Sequence, residues 1–176
     1  MNRLLSIAAL GAAFLSCAAH ADPVSLLIPV TYDPKADIPQ KVKDECRLDY
    51  ELQSQISNAL VRAFKSANGT TTSTEGQTVR ATITYVFGPA GGGWSGPKVV
   101  AIRAELLQDG KVQRETKLSR ASVFNVGFKG TCAILDKDAR TLSKDVVKWI
   151  KDPAYSTKED AEPAQASGDA ASASEH

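Results

Sequence analysis

Two hydrophobic rhythms divide the chain. Over residues 42–67 apolar side chains return every four positions, at Leu48, Leu52, Ile56, Leu60 and Phe64. That spacing makes one stripe of an amphipathic helix, with Asn68-Gly69 as its expected stop. From Val79 the period falls to two. Val79, Ala81, Ile83, Tyr85 and Phe87 alternate with Arg80, Thr82, Thr84 and Val86, which predicts a strand with one buried face. Val100, Ile102, Ala104 and Leu106 repeat the alternation, and Asp109-Gly110 is a two-residue hairpin signal. The return strand carries Val112, Arg114, Thr116, Leu118, Arg120, Ser122 and Phe124 on one side. This set is more polar than its partner's, as expected of an edge strand. Helical spacing resumes over residues 132–151 through Ile134, Leu135, Ala139, Leu142, Val146, Val147 and Ile150, and Pro153 ends it. The apolar run at 24–30 reads as a buried first strand, after which Pro34 and Pro39 break the chain.

The order β-α-β-β-β-α, without internal repeat, predicts an α+β fold: a two-layer sandwich of about four mainly antiparallel strands with two helices on one face. If successive elements alternate in direction, strands one, two and four run the same way and both helices run the other. The two helix N-termini then share one end of the domain with the loop at 88–97.

The ends of the chain change the picture of where this domain works. Residues 1–21 combine Arg3, an apolar run from Leu4 to Leu15 and a terminal Ala19-His20-Ala21, the pattern of a bacterial-type secretory signal peptide cleaved after Ala21. A periplasmic or secreted protein follows, with no transmembrane segment, because the run is too short to span a bilayer. A competing reading takes Phe14-Leu15-Ser16-Cys17 as a lipoprotein box and anchors the chain through Cys17. Phe and Ser fit that box poorly. Residues 153–176 are rich in Ala, Ser, Glu and Asp without apolar periodicity, the composition of a disordered acidic tail. The folded unit is then one domain, 22–152. It carries 19 Lys plus Arg against 15 Asp plus Glu, a net +4, whereas the tail sets Lys158 against five acids, a net −4. Neither value provides the basic stripe that a nucleic acid requires.

Cleavage removes Cys17 and leaves Cys46 and Cys132, which are expected to pair in an oxidising compartment. His20 and His176 both lie outside the domain, so His-based triads, zinc sites and proton shuttles are disfavoured there. No catalytic residue, metal ligand or cofactor is expected. Asp33 and Asp37, with Asp136 and Asp138, are the closely spaced carboxylates, and they read as solvated charges; the segment around Asp136 lacks the alternating oxygens and central glycine of a calcium loop.

Gly91, Gly93 and Gly96 have the spacing G-x-G-x-x-G. A dinucleotide fingerprint leads from a strand into a helix whose N-terminus holds the pyrophosphate, but this loop lies between two predicted strands. The nucleotide reading is therefore set aside. Gly91, Gly92, Gly93 and Gly96 nevertheless surround one large aromatic, Trp94, and such an anchor on an adaptable loop can dominate an interface. The alternative is a flexible hairpin end with Trp94 folded back on the core. Tyr32, Phe128 and Lys129 are weaker candidates for the same binding face.

The element order over most of residues 24–151, behind a signal peptide, resembles the small α/β modules of bacterial cell-envelope proteins such as the N-terminal domain of TolB and related periplasmic families. The resemblance rests on element order and brings no motif with it; the leading expectation beside it is a non-enzymatic binding or envelope-assembly module with a periplasmic or envelope protein as partner. An inhibitor or immunity-type protein using the Trp94 loop is one version. Two other classes stay open: a carboxylate-based hydrolase of envelope glycans, and a structural envelope protein.

Overall fold

The computed structural model describes residues 23–90, 95–122 and 130–157. Gly91, Gly92, Gly93, Trp94, Phe128 and Lys129 lie outside the described residues, as do the leader at 1–21 with Cys17 and the acidic stretch from Lys158 onward.

The described chain is α+β, with six strands and three helices in the order β1 (Val24–Leu27), β2 (Thr31–Tyr32), α1 (Gln40–Cys46), α2 (Leu48–Phe64), β3 (Thr70–Thr71), β4 (Gln77–Phe87), β5 (Lys98–Gln108), β6 (Lys111–Ser122) and α3 (Thr131–Lys151). Strand count and order therefore differ from the four strands and two helices read from periodicity. The sheet runs β3-β1-β4-β5-β6, with β2 also paired to β4. It is mixed: β1 lies parallel to both β3 and β4, and the long β4-β5-β6 meander is antiparallel. β1, β4 and β6 thus point the same way, as alternation of direction predicts, and β6 forms an edge.

Each difference has a local cause. The run at 24–30 does not make one strand. β1 pairs with Gln77–Val79 and β2 with Thr82–Ile83, so they are two pieces on one flank of β4, separated by a stretch containing Pro29, which has no N–H to give the ladder. The stripe predicted over 42–67 is cut at Arg47, whose left-handed backbone (φ 45°, ψ 47°) ends α1 and begins α2. A second left-handed residue, Lys65 (φ 52°), ends α2 before Asn68-Gly69 is reached. Gly69 acts differently: a Cβ there would lie 2.3 Å from Ser57 Oγ and 2.7 Å from the Ser57 carbonyl. Absence of a side chain lets the segment entering β3 press against α2.

The alternation in β4 holds only to Ile83. Ile83 faces Ile102 and Tyr85 faces Ala101, so Thr84 is an extra, bulged residue that shifts the phase. Val86 turns into the core at 3% exposure, while Phe87, expected inside, is 43% exposed. The core itself is one cluster in which Leu48, Leu52, Ile56 and Leu60 of α2 and Leu135, Ala139, Leu142, Val146 and Trp149 of α3 meet alternate residues of β4 and β5. The chain remains on the fold past Asp152: Tyr155 packs against the core and Thr157 is buried.

Candidate functional site

Cys46, the last residue of α1, and Cys132, in the first turn of α3, form a disulfide with their Cα atoms 4.9 Å apart. It bridges 86 positions of sequence and fixes the end of the domain reached by β4. There Gly88 lies against α3 so closely that a Cβ would be 3.1 Å from both Leu135 Cδ1 and Thr131 Cγ2. The Thr131 hydroxyl donates to the Pro89 carbonyl at 2.9 Å, and Ser95 donates to the same oxygen at 3.1 Å. The two limbs of the glycine-rich hairpin are thereby braced to each other and to the helix. Gly96 closes the brace at φ +91°, a conformation that suits glycine alone.

Lys98 completes this base and carried no signal in the sequence. Fully buried at the start of β5, its ammonium donates to Ser95 Oγ (2.9 Å) and to the Gly96 carbonyl (3.0 Å). Burial holds its pKa below the ordinary lysine value. Lysine's long stem reads as surface charge in a sequence, and only the register that places it opposite Ser122 shows otherwise.

Between α1 and the start of α3 lies a cleft of about 520 Å³. Its walls are backbone and short side chains, among them Gly88, Ala90, Gly130 and Ala133, with both cysteines and Val42. Lys41 and Glu45, an exposed pair 3.8 Å apart, also line it. The first turn of α3 has no acidic residue and its N-cap, Gly130, no capping side chain, so the positive end of the helix dipole opens on this side. The expected convergence of the helix with the base of the 88–97 loop is present.

The other candidates fall elsewhere. Tyr32 packs toward α2: its hydroxyl lies 3.4 Å from both Asp49 Oδ1 and the Asp49 N–H, and Lys43 sits 5.5 Å from its ring centre. Burial, with the Asp49 charge adding to it, pushes its pKa up to about 12. Asp33 pairs with Arg103 at 3.7 Å, Asp136 with Arg140 at 3.4 Å, and Asp138 accepts from Ser122 at 2.6 Å. None of these, nor Asp37, lines the cleft. A carboxylate that closeness in sequence did not single out is held by three partners. Asp145, 0% exposed, receives Arg120 Nε at 2.7 Å and the Tyr155 hydroxyl at 2.6 Å, with Lys148 at 3.6 Å. Its signal was the heptad step from Asp138 to Asp145, which puts both acids on the face of α3 that meets Arg120 and Ser122 of β6.

Among the described residues no group of three or more His, Cys, Asp or Glu side chains could hold a metal ion, and no helix is long and apolar enough to cross a membrane. No family model matches the chain, and no curated protein matches its sequence. Its fold is similar to several solved bacterial structures. The PelC dodecamer from Paraburkholderia phytofirmans aligns at 13% identity over 73% of this chain and 88% of that one, with a TM-score of 0.48. A Xanthomonas campestris protein of family DUF330 aligns at 11% identity over 73% and 82%, also at 0.48. A minor lipoprotein from Acinetobacter baumannii aligns at 10% identity over 72% and 90%, at 0.43. TolB is not among these three.

Proposed function

We propose that the protein is an exported, non-enzymatic binding or envelope-assembly module that engages a partner protein with its disulfide-braced end. The observation that carries this reading is the cleft between α1 and α3. Its walls are mostly small or apolar, with glycine, alanine and the cystine beside Val42 and with Lys41 and Glu45 among the lining residues, so it offers a concavity of about 520 Å³ in which a protruding side chain of a partner can seat. Hydrogen bonds through Pro89, Ser95 and Thr131 hold the hairpin base beside it, giving the Trp94 loop a rigid mount. A fixed platform with an aromatic next to it lowers the entropy lost on association. In the inhibitor or immunity-type version, the loop enters a partner's cleft while the partner fills this one.

The experiment is a pull-down from a periplasmic extract with the exported chain, residues 22–176, beside Trp94→Ala and Ala133→Glu. Ala133 is exposed on the cleft wall, so a carboxylate there blocks the cleft without entering the core. A partner captured by the wild type and lost with either folded variant supports the reading. Capture that is indifferent to both substitutions, or no capture at all, overturns it.

A further inference from the structure

A second concave feature lies on the outer side of the helix layer. Where α2 and α3 pack, Gln55, Ala59, Arg62 and Ala63 face Arg140, Ser143, Lys144 and Val147 across a groove of about 470 Å³. Its floor is small side chains. Three of the eight lining residues are cations and none is a carboxylate. Lys151, one turn beyond Val147, extends the cationic line on α3 and lies 5.6 Å from the Phe64 ring centre at the end of α2. The acids of α3 compensate this face only in part: Asp138 and Asp145 turn to β6, and Asp136 pairs with Arg140, which leaves Arg62 and Lys144 without an acidic partner among the described residues.

We infer that this seam is a docking site for acidic polypeptide and that its occupant is the chain's own segment 158–176. That segment carries Glu159, Asp160, Glu162, Asp169 and Glu175 against Lys158, a net −4 facing a domain of net +4. Its remaining residues are mostly Ala and Ser, small enough for a shallow seam floored by Ala59, Ala63 and Ser143. Its starting point is also suitable. Thr157 accepts the Ser119 N–H at 3.1 Å, and Tyr155 is bonded to Asp145, the neighbour in sequence of the groove residue Lys144. The segment therefore begins about one helix diameter from the groove, roughly 10–12 Å, and 19 extended residues reach about 60 Å. Ion pairs at an exposed surface are weak and screened, so the docked state belongs to low ionic strength.

The test is paramagnetic broadening of amide signals in the oxidised chain 22–176 with a nitroxide at Ala171→Cys. At about 20 mM salt the amides of Ala59, Ala63, Ser143 and Lys144 are expected to lose at least about half their intensity. The loss is expected to vanish at about 0.5 M salt, where the screening length shrinks to about 4 Å, and in the chain carrying Arg62→Gln, Arg140→Gln and Lys144→Gln. Equal intensities at both salt concentrations overturn the proposal. So does broadening that persists in the triple variant, or that appears when labelled protein is mixed with a spin-labelled copy, which assigns the groove to a second molecule. Groove signals that respond only to anionic phospholipid vesicles, added to a chain with Glu159→Gln, Asp160→Asn and Glu162→Gln, assign it to a membrane surface and overturn it as well.

Discussion

At the scale of single residues, Asp145 gathers Arg120, Tyr155 and Lys148 at a point with no exposure to solvent. Its charge joins three pieces of chain: β6, α3 and the segment after α3. Asp145→Asn keeps the shape but leaves Arg120 facing a neutral amide. Because Arg120 and Lys148 reach solvent, the expected cost is about 2–3 kcal/mol rather than the full cost of an orphaned buried charge. Tyr155→Phe removes the hydroxyl's hydrogen bond to Asp145 and the longer one it accepts from Arg120 Nη2 at 3.4 Å, and is expected to cost about 1–2 kcal/mol. Urea unfolding of the oxidised protein measures both. Tyr32 gives a pH signature. Its folded pKa of about 12 lies above the ordinary 10.0, so its stabilising contribution is complete below pH 10 and is lost as pH rises toward 12. Ultraviolet titration is expected to show a tyrosine ionising near pH 12 that is missing in Tyr32→Phe. Little of this was legible in the sequence. Closeness along the chain drew attention to Asp136 and Asp138, whereas burial and pairing depend on which helical face meets which strand.

Elements were more legible, because periodicity reports which face is buried and it held over most of α2, β5 and α3. It failed where one residue breaks the count. Arg47 and Lys65 adopt left-handed backbone without being the Gly or Asn that usually marks such a position, so neither stop could be read. Thr84 is invisible for a related reason: an inserted residue leaves composition unchanged and only inverts the phase. From this comes a counter-intuitive prediction. Deleting Thr84 joins Ile83↔Ile102 to the register of Tyr85↔Ala101 and keeps Val86 inside, so the protein is expected to fold with a loss of no more than about 2 kcal/mol. Deleting Arg80 from the regular part of β4 forces core residues to the outer face, and a loss above about 4 kcal/mol is expected. Thermal unfolding distinguishes the two. β6 shows the same device on the edge. Gln113 is bulged between Arg114 and Val112, Lys111 and Lys117 are exposed, and Thr157 takes the Ser119 N–H, features that discourage another strand from pairing there.

Over the whole molecule the disulfide has the largest single effect. A cross-link spanning 86 positions stabilises a fold by about 4–5 kcal/mol in the chain-entropy account. α1 depends on it most, since Val42 is the one residue of α1 that is buried. Cys46→Ala with Cys132→Ala is expected to lower stability by about 3–5 kcal/mol, and hydrogen exchange is expected to rise first in α1 and in the opening turn of α3. The pairing was legible from the cysteine count and the expected compartment. That the bond would lie in the wall of a cleft required the helices to be placed.

Covalently, the same bond makes a ring of everything from α2 through β6, and the glycine-rich hairpin is part of that ring. A protease that cuts the hairpin once opens the ring without dividing the molecule. The nicked protein is expected to migrate as a single species on a non-reducing gel and to separate into two fragments when thiol is added. Cleavage in that hairpin would thus leave the domain in one piece until its disulfide is reduced.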